Sequence, residues 1–206
     1  MNLALLSAFI PTFFFVSITP GMCMTLAMTL GMTIGIKRAL WMMLGELVGV
    51  ATVAILSAIG VAALLLNYPN VFIVLKYIGG AYLAFVGLQM WLSKGKMAIK
   101  ADASDTKSAS RIDLISQGFV TAIANPKGWA FFVALLPPFL DASQPLTSQL
   151  AVLITIILTL ELTCLLIYAA GGRTLKSILM QSGNVRIMNR IAGSLMIGVG
   201  VWLAVG

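Results

Sequence analysis

The chain has 206 residues, 60% of them hydrophobic and only 9% charged, with a mean hydropathy of +1.04. Roughly a quarter of the residues in soluble domains are charged, so this composition excludes an ordinary water-soluble fold. The net charge of +7 would suit nucleic acid, but membrane topology accounts for it, and no nucleic-acid partner is expected.

Apolar runs near the ~20 residues that a bilayer demands identify an all-α polytopic membrane protein. Six spans are expected, at about 3–36, 39–66, 71–93, 114–140, 147–172 and 187–205, in one transmembrane domain covering 1–206. The chain starts MNLALLSAF, without a basic leading region or a small-residue cleavage signal, so the first segment is expected to stay as a helix. That span contains "SITPGMCMTLAMTLG", whose Pro20 and Gly21 interrupt it. The second span carries Glu46. The third holds Gly80 and Gly87, and Pro69 separates it from the second. The stretch 94–113, "KGKMAIKADASDTKSASRID", reads as a polar cytosolic linker between a first half (1–93) and a second (114–206). The fourth span is interrupted at Asn125-Pro126-Lys127-Gly128, since a residue before proline is driven out of the helical region. Glu161, Cys164 and Tyr168 share one face of the fifth span, where Cys164 reads as a core residue and Tyr168 as an anchor at the membrane interface.

Basic residues near helix ends set the orientation. Lys37 and Arg38, then Lys94, Lys96, Lys100, Lys107 and Arg111, then Arg173, Lys176, Arg186 and Arg190 fall on alternate loops, which are therefore cytosolic. Both termini are then expected on the outside.

An odd number of spans per half makes the second half enter the membrane from the opposite side. "IGGAYLAFVGL" from Ile78 matches "IAGSLMIGVGV" from Ile191, pairing Gly80 with Gly193 and Gly87 with Gly200. Each half also has a broken first span and a lone carboxylate in its second. Two inverted three-helix repeats are the expected architecture, the one in which broken helices of secondary transporters hold the substrate near mid-membrane.

The polar residues inside the spans are the candidate site. Glu46 sits roughly 10 Å and Glu161 roughly 16 Å from their cytosolic helix ends, at 1.5 Å per residue. A carboxylate at such depth costs several kcal/mol unless it is paired, hydrated or protonated, which suits both to proton coupling. Pro20, Gly21, Asn125, Pro126, Lys127 and Gly128 are the candidate substrate-binding residues, through freed backbone groups, the Asn125 amide and the Lys127 ammonium. Thr25 and Thr29 after the first break, and Gln117 and Thr121 before the second, recur every four residues, as the lining of a pathway to the cytosol would. Each threonine could instead bond its own i−4 carbonyl.

With no histidine, two separate cysteines and few acids, no metal site or cofactor is expected. The chemistry points to a transporter and not to an enzyme. The alternative is a transmembrane thiol–disulfide electron carrier using Cys23 and Cys164.

The segments "TPGMCM", "GELVGV", "KYIGGAYLAFVGLQMW", "ANPKGWAFF", "TLELTCLLIY" and "MNRIAGSLMIGVGVWLA" together resemble the LysE/RhtB family of amino-acid exporters. The resemblance implies proton-driven export of an amino acid or derivative across the bacterial inner membrane. Many members continue the first break as Pro-Gly-Pro and a polar residue, where this chain has Met22-Cys23-Met24, so its pocket is expected to be more apolar. The glycine-rich third and sixth helices serve either internal packing or a homodimer, and the sequence leaves both open.

Overall fold

A computed structural model describes residues 3–93, 108–136, 139–140 and 144–205. Eight α-helices occupy them: α1 (Leu3–Ile18), α2 (Met22–Thr33), α3 (Ile36–Asn67), α4 (Pro69–Leu92), α5 (Arg111–Ile123), α6 (Pro126–Leu135), α7 (Leu146–Met180) and α8 (Ser182–Val205).

The two interruptions fall where the sequence places them. Thr19, Pro20 and Gly21 separate α1 from α2, and the chain bends by 56° across that break. Ala124 and Asn125 separate α5 from α6, with Pro126 at the first position of α6, where its missing N–H costs no hydrogen bond. Among the described residues, Ile36–Gly60 and Leu146–Gly172 are long and apolar enough to cross a membrane, and the bent α1–α2 pair makes a third span. The other three expected spans do not meet that measure by themselves. α5 and α6 are only 13 and 10 residues because the Asn125 break divides them. The apolar stretch of α4 is Tyr77–Leu92, and α8 opens on polar turns containing Asn184, Arg186, Asn189 and Arg190.

Boundaries differ from expectation at three places. Most of the linker, 94–107, lies outside the described residues, but its end is helix: α5 starts at Arg111 behind a capping box. The Ser110 hydroxyl accepts from the Asp113 N–H at 3.2 Å, and the Asp113 carboxylate accepts from the Ser110 N–H at 2.8 Å. α7 runs on past the expected 172, but Gly172 bends it there, with φ 43°, a left-handed conformation that favours glycine. α8 begins earlier than expected, at Ser182.

Small residues set the helix contacts, as packing does where lipid supplies no hydrophobic drive between helices. α3 crosses α5 so closely that a β-carbon on Gly118 would run into the Met42 carbonyl, and one on Gly45 into the Ile115 carbonyl. Gly31 on α2 meets the backbone of Ala169 on α7 in the same way. Between α4 and α8, Gly87 faces Gly193 and Gly200 faces the Gly80 carbonyl. When Ile78 is laid over Ile191, exchanging the two halves turns one of these contacts into the other.

Two buried clusters fill the interior. One, rich in phenylalanine, gathers Phe9, Phe13, Phe131, Phe132 and Phe139 around Val53 and Leu153. The other, rich in methionine, gathers Met24, Met28, Met42 and Met43 around Cys164 and Tyr168.

Candidate functional site

The helix breaks open a cavity of about 90 Å³ where the two clusters meet. Thr19, Gly21, Met22, Cys23 and Met24 line it from the first break, and Asn125 and Gly128 from the second. Glu46 of α3 and Glu161 of α7 line it as well. Residues from all four interrupted or acidic segments singled out in the sequence therefore share one space. Pro20, half-buried, shapes the break without lining the cavity. Pro126 and Lys127 begin α6, but their side chains lie outside the described residues.

Glu46 is fully buried, and neither of its carboxylate oxygens has a hydrogen-bond partner among the described residues. Its polar neighbours are the Glu161 carboxyl and the Cys23 thiol, and the Asn125 side chain also bears on Cys23. Glu161 is 8% exposed. α3 brings Glu46 here because Gly45 and Gly118 let α3 and α5 touch backbone to backbone; a β-carbon on Gly118 would also run into the Glu46 backbone nitrogen.

The breaks leave unpaired backbone groups, and the structure satisfies part of them. Two aromatic side chains, neither expected in this role, cap a carbonyl at each break. The Tyr168 hydroxyl donates to the Ile18 carbonyl at 2.7 Å, and the Trp129 indole N–H donates to the Ile123 carbonyl at 2.9 Å. Tyr168, 1% exposed, is thus a buried strut, not the interface anchor expected. By contrast, the start of α2 has no side-chain cap: its N-cap, Gly21, offers none. Met22, Cys23 and Met24, the first residues of α2, line the cavity, which places the positive end of the helix dipole beside it.

The threonine stripes behave otherwise. Thr25, Thr29 and Thr121 each donate to the carbonyl four residues earlier, at 2.7–2.8 Å. Neither they nor Gln117, which is exposed, line the cavity. Sequence reasoning also missed the apolar wall: Phe13, Val16, Val50, Val53, Phe131 and Phe132. The signal available was the presence of aromatic doublets within a few residues of each break.

The sequence pattern of the LysE type translocators matches residues 14–206. This chain belongs to the LysE family. It is 26% identical over 204 residues to an uncharacterized membrane protein of Vibrio cholerae, covering 99% of this chain and 98% of that one. It is 26% identical to a homoserine/homoserine lactone efflux protein of Salmonella typhimurium over 96% of this chain and 94% of that one. Identity is also 26% to a leucine efflux protein of Enterobacter, over 93% and 90%. No solved structure matches. Members of this family are translocators and not enzymes, and the thiol-carrier alternative finds no support. Cys23 and Cys164 are both free thiols, buried in the methionine-rich cluster.

Proposed function

We propose that this LysE family member exports an amino acid or amino-acid derivative across the bacterial inner membrane, driven by the proton gradient. The observation that carries the reading is the single cavity lined by residues of both helix breaks and by Glu46 and Glu161. Efflux relatives covering nearly the whole chain support it. The fold proposed is six spans in two inverted repeats with both termini periplasmic. The paired Gly87–Gly193 and Gly80–Gly200 contacts support it, as does the alternation of basic loops.

The substrate carboxylate lies against the uncapped start of α2, where a helix N-terminus favours an anion, and the Lys127 ammonium is its proposed counter-charge. Gly21 and Gly128 keep the backbone open to it, Pro20 and Pro126 fix the breaks, and Asn125 offers its amide. Glu46 and Glu161 take the substrate amine or a proton. Two carboxylates in one buried space cannot both stay charged without a counter-charge, so a proton and an ammonium group compete for the pair. That competition couples cargo to proton movement. Thr25, Thr29, Gln117 and Thr121 line the route to the cytosol only when it opens.

Transport of labelled amino acids by the purified protein in proteoliposomes, with and without an imposed proton gradient, tests the reading. Movement of one class that depends on the gradient, and loses that dependence in Glu46→Gln, is the expected result. Gradient-driven transport at the full rate by both Glu46→Gln and Glu161→Gln would sink the coupling role.

A further inference from the structure

The cavity is polar at one end only. On α3, Glu46, Val50 and Val53 follow at i, i+4 and i+7, so one helix face runs from a carboxyl to two branched aliphatic side chains within two turns. On α1 the lining passes from Thr19 and Ser17 back to Val16 and Phe13, and on α6 from Gly128 on to Phe131 and Phe132. Three separate elements therefore grade from polar at the breaks to apolar on the side of the phenylalanine cluster. The apolar end is fixed in shape. Phe13 packs on Phe131 at 5.6 Å and on Phe132 at 6.1 Å between ring centres, and all three are at most 4% exposed. At the polar end stands Glu46, fully buried, with the Glu161 carboxyl and the Cys23 thiol as its polar neighbours.

We infer that the cargo is a neutral α-amino acid with an apolar side chain, its ammonium at the Glu46–Glu161 end and its side chain against Phe13, Phe131 and Val53. This rests on the export reading above and narrows it. A second charge on the side chain would have to lie among phenylalanines and valines, with the Ser17 hydroxyl beside them and no charged group at that end among the described lining residues. A hydroxylated side chain of similar shape is rejected less sharply, because an apolar pocket discriminates against an added hydroxyl by only about a hundredfold at best.

The test is competition in proteoliposomes holding the full chain, with labelled leucine as the transported probe and unlabelled valine, isoleucine, homoserine, lysine and phenylalanine as competitors. Valine and isoleucine should compete at least about tenfold better than homoserine or lysine, the scale set by a methylene in an apolar pocket. Phe131→Ala enlarges the apolar end and should shift preference toward phenylalanine relative to leucine. Homoserine or lysine as the best competitor, or as the only transported probe when labelled in turn, overturns this inference and leaves the export reading standing. No movement of any of the six under either gradient overturns both. The comparison among competitors is made on the unaltered protein, so a variant that fails to fold does not decide it.

Discussion

The Tyr168 hydroxyl donates to the Ile18 carbonyl at 2.7 Å, tying the middle of α7 to the first helix break across 150 positions of chain. The break is thereby held open by a strut from the same helix that carries Glu161 seven residues earlier. Removing the hydroxyl by Tyr168→Phe keeps the ring and its packing but frees the carbonyl. Interhelical hydrogen bonds in membrane proteins average about 0.6 kcal/mol and reach about 1.7. A fall of a few degrees in Tm, at ~2–4 °C per kcal/mol for a chain of this size, is expected in detergent. Transport should drop by more than that loss of stability accounts for, because the break is displaced; equal Tm and equal rate would refute the strut.

Glu46→Gln should leave thermal stability unchanged or raised, since the carboxylate it replaces is buried without a hydrogen-bond partner among the described residues. Gradient-driven transport should fall to the level seen without a gradient, while exchange of labelled for unlabelled cargo persists. Measuring net flux and exchange on the same vesicles separates the two. Loss of both together would mean that Glu161 alone cannot hold the cargo's ammonium.

Gly118→Ala tests the contact that positions Glu46. The new methyl would meet the Met42 carbonyl and the Glu46 N–H, and overpacking of this kind costs about 1–3 kcal/mol. Gly60→Ala, where nothing lies within 4 Å, is the matched control and should be neutral. The yield of monodisperse protein and its Tm report the difference.

Acid should loosen the start of α5. Hydrogen bonds from the Ser110 side chain and backbone hold the Asp113 carboxyl below the usual carboxylate range. Its contribution is present above the unfolded value and disappears as pH falls through the lower, folded one, in the region below about pH 4. Amide exchange at residues 111–114 should therefore speed up on acidification, and Asp113→Asn should remove that pH dependence. Ser110→Ala should cost about 1 kcal/mol of local stability near neutral pH.

The breaks and the two carboxyls were legible because each violates a strong rule: proline and glycine within a helix, and a charge within lipid. The sequence could not show what those breaks do with their freed carbonyls. Tyr168 reads as an interface residue because tyrosine is common there, and only tertiary contact reveals the Ile18 carbonyl as its partner. The same holds for Trp129 and the Ile123 carbonyl. The start of α5 was missed for a different reason. Ser110 and Asp113 have the spacing of a capping box, but they end a polar stretch whose composition reads as linker. Six spans were expected where two helices, or three with the bent pair, stand out. Apolar composition counts residues along the chain, whereas a broken span is two short helices to any length criterion.

The glycine contacts between α4 and α8 bear on how the protein is made. Gly87 and Gly193 lie about half a chain apart, so at synthesis rates of ~5–20 residues per second the small-residue face of α4 stands in lipid for on the order of ten seconds before α8 arrives. During that interval it is open to neighbouring helices and to membrane quality control. Substituting Gly87 should therefore show itself as protein degraded before assembly, while the molecules that do close transport at the ordinary rate.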